Sequence, residues 1–374
     1  MIMGFVRRAA FAFLLMAAGP AHACLVCIPL PERTLADHVL DAAVVALARQ
    51  DPDDPFRYAV TEYLKGDAVG AAGDIPFLVD STTRRRMATD AEVFTILSRE
   101  LPESEWALHA TGGAPMVSVI RKIAARSDDW LADAGNEERF AFFAALHDSP
   151  DPGIRSLALA EISGARYGLI RTLAPKLSRA EVVRILRDPT MFEWAPIHIL
   201  LLGLSDDPAD RAFVRSAFEA AGRSRAATSL GAWTTAYLEV DGAAALDRIR
   251  AAYIEDQARP EAQMIEIVRS LSTFSAVAEP ALHDDIMEHL GMLASAWPGI
   301  AAEAARELSL AGDWSLAPLF EDLLATGAIS APEHEFAVTL HVALARDAGA
   351  LSTRQEPGSG FLELRPSDGL SARQ

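Results

Sequence analysis

Cysteine is nearly absent from this chain. Only Cys24 and Cys27 occur among 374 residues, too few for the disulfide framework of a small secreted domain. A c-type haem site needs His directly after the second Cys, and Ile28 stands there. A zinc site of the thiolate kind needs further soft ligands, and no other Cys exists. A thioredoxin-type dithiol opens a helix, whereas Ile28-Pro29-Leu30-Pro31 cannot begin one at the second Cys. A short-loop disulfide between Cys24 and Cys27 in an oxidising compartment is the reading that remains for the pair. Basic charge is also scarce. There are 34 Lys and Arg against 52 Asp and Glu, a formal net charge of −18. Nucleic-acid binding draws its affinity from clustered Lys and Arg, so no nucleic-acid partner is expected. The one basic cluster, Arg84-Arg85-Arg86, reads as a solvated loop. HExxH, G-x-S-x-G, Walker and GxGxxG signatures are all missing, so no catalytic residue and no cofactor is assigned.

The first residues are apolar and removable. Arg7 and Arg8 form a positive start, the run from Ala9 to Ala18 is apolar, and Gly19-Pro20 breaks it. Ala21-His22-Ala23 then offers small residues at the positions a signal peptidase reads. This pattern is that of a secretory signal peptide over 1–23, too short to span a bilayer. It predicts an exported protein, periplasmic or extracellular, cleaved after Ala23. No later run is long and apolar enough for a membrane span. Cleavage leaves 32 of the 34 basic and all 52 acidic residues, a formal charge of −20. It also places Cys24 first, where a lipid anchor on its thiol is the alternative to a disulfide.

Two patterns follow in order. From Asp41 to about Thr111 the period is near two. Strands are expected at Ala43 to Arg49, Phe56 to Leu64, Ile75 to Val79, Val93 to Ser98 and Trp106 to Ala110. Pro76 marks the third as an edge or as a strand start. A short helix capped by Thr34 precedes them, and a helix from Met116 to Arg126 follows. From about Asn136 the period becomes 3.6. Ile154, Leu157, Ala158 and Ile162 share a face; so do Met264, Ile267, Val268 and Leu271, and Ile286, Leu290, Leu293 and Trp297. Asp151-Pro152 and Asp207-Pro208 are start signals, as are Ser178 with Glu181 and Ser330 with Glu333. About twelve helices with short connections are expected. The stretch after Asp347 is aperiodic, and 347–374 reads as a disordered tail.

Two family resemblances rest on these residues. Ser149-Pro150-Asp151-Pro152-Gly153-Ile154-Arg155-Ser156-Leu157-Ala158-Leu159 resembles a HEAT repeat, with a turn, then an apolar residue, Arg and an apolar-Ala pair. Ser205-Asp206-Asp207-Pro208-Ala209-Asp210-Arg211-Ala212-Phe213 echoes it. The resemblance implies an α-solenoid over 136–346, in which each helix pair buries its apolar face against the next; a compact helical bundle is the alternative. The mature N-terminus is similar to the netrin-like domain of tissue inhibitors of metalloproteinases. It shares an N-terminal Cys24, a second Cys soon after, prolines, and two strands ending in Tyr63-Leu64-Lys65-Gly66. This implies an OB-like β-barrel over 24–126, and a Cys24 that could chelate the zinc of a protease.

Histidines are scattered. His283 and His289 fall on different faces of one helix; His334 and His341 share a face without a third ligand, so no metal site is assigned. Trp130, Trp194, Trp233, Trp297 and Trp314 are core candidates, one or two of which could anchor a partner. The expected fold class is thus α+β and multidomain, a small OB-like barrel followed by an all-α HEAT-like solenoid. The expected function is a secreted, non-catalytic scaffold that binds a protein partner through an acidic helical surface. A lipoprotein tethered through Cys24 and a metalloprotease inhibitor acting through Cys24 are the alternatives.

Overall fold

The computed structural model describes residues 33–67, 74–132, 137–173, 179–224, 228–256 and 258–351. The leader, Ala23, Cys24 and Cys27, the tail 352–374 and Ser178 lie outside the described residues.

The chain is α+β. Helix α1 (Leu35–Asp41) opens it. Thr34 Oγ1 accepts from the Asp37 amide at 3.1 Å while Asp37 accepts from the Thr34 amide at 2.9 Å, a reciprocal cap. Strands β1 (Val44–Gln50) and β2 (Tyr58–Lys65) follow, then helix α2 (Ser81–Thr89), β3 (Phe94–Arg99) and β4 (Ala107–Gly112). All pair antiparallel in the order β2-β1-β3-β4. Gly66 turns the chain at φ +72°, and a Cβ there would meet the Ala43 carbonyl oxygen at 2.7 Å.

Period-two alternation explains why central β1 is apolar on both sides. Val45 and Leu47 face one core with Ile96, covered by α1 and by α3 (Ala114–Ala125) through Leu40, Ile120 and Ile123. Val44, Ala46 and Ala48 face a second core with Leu97, Met87 of α2, Val79 and Trp106. The sheet is open, with β2 and β4 as its edges among the described residues. A closed barrel is not what these strands form.

Two local expectations are corrected. The segment 75–79 is not a strand: it makes one isolated bridge, Arg57 to Leu78, because Pro76 has no amide to give a ladder. Arg84-Arg85-Arg86 lies in α2 rather than in a loop. Asp80 accepts from the Thr82 and Thr83 amides and starts that helix, and Thr83 and Met87, one turn apart, bury its inner side.

The remaining helices are α4 (Ser127–Ala132), α5 (Glu137–Ala144), α6 (Pro152–Ser163), α7 (Tyr167–Ile170), α8 (Arg179–Leu186), α9 (Ala195–Gly203), α10 (Pro208–Arg223), α11 (Leu230–Asp241), α12 (Ala243–Ile249), α13 (Glu261–Ser275), α14 (Pro280–Ala296), α15 (Ala301–Ala311), α16 (Ala317–Ala325) and α17 (Pro332–Asp347). Asp151 caps α6 through the Gly153 and Ile154 amides, and Asp207 caps α10 through the Ala209 amide, each followed by proline at the first helical position. Ser330 is not the cap expected: α17 begins one residue later, with Ala331 at its N-cap and no side-chain bond.

Packing among these helices alternates. α9 packs on α11, α11 on α13, α13 on α15 and α15 on α17, while α10, α14 and α16 flank this row. The row is apolar because it is enclosed; every residue of α9 is buried. One continuous core runs from Phe140 to Val342. The core on the α1 side of the sheet is joined to the first helices by Trp130, Phe143, Ile154 and Leu157. No helix among the described residues is long and apolar enough to cross a membrane.

Candidate functional site

Helix α15 carries Glu303 and Glu307 one turn apart. Glu303 is buried and fully engaged: Arg269 Nε of α13 donates to one of its oxygens at 2.5 Å and Arg306 Nη1 to the other at 2.5 Å. Glu307 has no hydrogen-bond or ion-pair partner among the described residues. Burial, reinforced by the Glu303 charge, pushes its carboxyl up to about 7 against the opposing pull of Arg269 and Arg306.

Glu307 lines a cleft of about 420 Å³ between the start of α7, the end of α13 and α15. That size suits a small ligand. The walls are mixed, with Val277 and Leu310 apolar, Ser272 and Thr273 polar. The Ser272 hydroxyl is buried with no hydrogen-bond partner among the described residues. The Tyr167 wall is held in place. Its hydroxyl donates to Glu239 Oε1 of α11 at 3.0 Å, and its ring lies 6.3 Å from that of Phe274. Arg171 Nε pairs with the same carboxylate at 2.7 Å, and its Nη1 donates to the Val277 carbonyl at 3.1 Å, tying α7 to the end of α13. A half-buried carboxyl poised near neutrality in a formed cleft is a mark of functional sites. It can hold a proton, or bind a cation once ionised.

Other polar clusters are closed. His341 of α17 is fully buried. Its Nδ1 lies 2.8 Å from Ser309 Oγ, but that hydroxyl is also 2.6 Å from the Ala305 carbonyl, to which it donates. The His341 ring packs against Trp314 and Phe320, while the partly exposed Ser309 hydroxyl is spent on the backbone of its own helix. Arg139 of α5 bonds Asp37 of α1 at 2.6 Å and Glu161 of α6 at 2.8 Å, and Thr34 Oγ1 donates to Glu161. This partly buried ionic knot joins three helices and is satisfied from within.

The expected site residues Ala23, Cys24 and Cys27 fall outside the described residues. His283 meets Asp313 at 3.4 Å and His289 meets the Asp285 carbonyl at 2.7 Å, so the two diverge as the helical spacing requires. His334 and His341 do lie on one helix, α17, but only His341 enters the core. No group of three or more His, Cys, Asp or Glu among the described residues could hold a metal ion. Trp130, Trp194 and Trp233 are buried, and Trp297 and Trp314 half-buried. Sequence reasoning missed Glu307. The available signal was two glutamates four apart in the Ala- and Leu-rich run from Ala301 to Ala311, a like-charge spacing that is unfavourable unless used.

Comparison of the chain with protein-family models, with curated proteins and with solved structures gives no match.

Proposed function

We propose that this chain is an exported, non-catalytic scaffold whose row of stacked helices presents a surface to a protein partner. The observation that carries this reading is the alternation of packing, α9 on α11 on α13 on α15 on α17, with other helices flanking. HEAT-like arrays stack in this manner, and the best matching unit, residues 149–159, supplies the capped start of α6. Each repeat of such an array contacts its neighbours, so its ends need covering. The sheet module supports a covering role, because Trp130, Phe143 and Ile154 share its core. A netrin-like barrel would need β4 to reach β2; a capping role fits the open sheet better than a barrel-mouth binding site. Export through the leader leaves Cys24 available for a disulfide to Cys27 or for a lipid tether.

The test is photocrosslinking in cells from exposed positions. A probe at Leu310 of α15 or at Phe336 of α17 should give a discrete protein adduct, and one at Phe56 before β2 should not. Adducts from Phe56 alone, or hydrolase or oxidoreductase turnover that depends on a named residue, would overturn the scaffold reading. Mass spectrometry of the mature N-terminus separates the two fates of Cys24. A diacylglycerol adduct supports the tether, and a mass two hydrogen atoms short of the dithiol supports the disulfide.

A further inference from the structure

We infer that the cleft between α7, α13 and α15 is a binding site for an ammonium group carried on a short aliphatic stem, with Glu307 as its counter-charge. Three observations converge. Glu307 lines a formed cavity of about 420 Å³ and has no partner among the described residues, although the neighbouring Glu303 has two. The hydroxyl of Ser272, a residue only 3 % exposed that lines the same cavity, is buried without a partner among the described residues. Val277 and Leu310 supply apolar wall beside these two groups. An unpaired polar group costs stability where water is largely excluded, so a partnerless carboxyl on a cavity wall, with an unpaired hydroxyl buried behind that wall, points to a ligand that satisfies the carboxyl. A carboxylate beside apolar wall matches an ammonium, which has three donors and no acceptor, on a hydrocarbon stem.

The surrounding charges bear on this choice. Arg269 of α13 and Arg306 of α15 are committed to Glu303, and Arg171 to Glu239. Arg166 at the start of α7 also lines the cleft, but it is exposed, so solvent and salt screen its charge. Tyr167 is engaged with Glu239. Glu307 is therefore the carboxylate with capacity left to receive a cation. Because its carboxyl is pushed up to about 7, binding an ammonium would drive it to ionise and release a proton. Affinity should fall about tenfold per pH unit below about 7 and level off above it.

The full chain, titrated with n-butylammonium chloride against matched sodium chloride, tests this. At about pH 8 the melting temperature should rise saturably with the amine, as for any ligand of the folded state. n-Butanol should give no such rise. Glu307→Gln should lose at least tenfold in affinity while keeping its fold. Leu310→Lys, three residues along the helix, should abolish binding by placing an internal ammonium beside Glu307. Calorimetry in two buffers of different ionisation enthalpy should report proton release. An Nα-acetyl-lysine amide that binds better than butylammonium identifies a protein lysine as the source; the reverse identifies a free amine. Butanol binding as well as the amine, affinity unchanged in Glu307→Gln, or no amine-dependent rise would overturn the inference. The scaffold reading fails on different data, since butylammonium binding requires no protein partner.

Discussion

His109 is held neutral by its surroundings. Its ring stacks on His38 with centroids 4.5 Å apart, and its Nε2 lies 2.7 Å from Ser98 Oγ. Burial first, then the charges of His38 and Arg33, push it down to about 4 from an ordinary 6.5. Between those values the unfolded chain binds more protons than the folded one. The contribution is therefore whole above about 6.5 and is lost as pH falls toward about 4. His109→Gln keeps a hydrogen-bonding group for Ser98 and removes the titration. Its melting temperature should decline less than that of the parent between about pH 7 and about pH 5; parallel declines would refute this. Glu307 has the opposite sign. Its folded value, about 7, exceeds the unfolded 4.5, so its contribution is whole below 4.5 and is lost as pH rises through 7. Glu307→Gln should raise stability by up to about 3 kcal/mol at about pH 8 and leave it nearly unchanged at about pH 4. Denaturant melts at the two pH values decide it.

At the scale of single elements, much was legible in the sequence, because caps and periods are local. Thr34, Asp151 and Asp207 start the helices their positions promised. Met264, Ile267, Val268 and Leu271 are buried together, as a 3.6-residue period requires. The errors came where a local signal competed with a neighbour. Pro76 kept an apolar run out of the sheet, and Asp80 turned an arginine run into a helix. Closure of the sheet was not legible, since it depends on whether β4 meets β2 across the module. The cleft was not legible either: Tyr167, Ser272 and Glu307 come from three separate stretches that only stacking brings together. Gly203 shows how close that stacking is. A Cβ there would sit 2.7 Å from Ala236 Cβ and 2.8 Å from its Cα, so α9 and α11 cross almost backbone to backbone. Gly203→Ala should force them apart and cost about 1–3 kcal/mol in chemical denaturation, despite the better helix propensity of alanine. A neutral or stabilising result would mean that the crossing relaxes freely.

For the whole molecule, the question is whether the sheet module and the helical row unfold as one body. Phe143 of α5 decides this, because it is fully buried in the core that also holds Leu40, Leu47 and Ile96 of the sheet side and Ile154 and Leu157 of α6. Its ring lies edge-on to Phe142 at 5.0 Å and tilted to Trp130 at 6.1 Å, so removing it empties a site with aromatic walls. The ionic knot of Asp37, Arg139 and Glu161 crosses the same junction and holds its walls in place, which limits how far they can collapse. Phe143→Ala should therefore cost about 3–5 kcal/mol, the upper part of the range for large-to-small core changes. If the junction couples the two parts, helical circular dichroism and the fluorescence of Trp106, on the far side of the sheet, should shift to lower temperature together. If the helical signal stays while Trp106 is released early, the module is an appended domain and its role as a cap on the row fails. Coincident shifts would mean that the row needs its sheet end covered to remain folded, the behaviour expected of a stacked array whose end would otherwise expose Phe143, Ile154 and Leu157 to water.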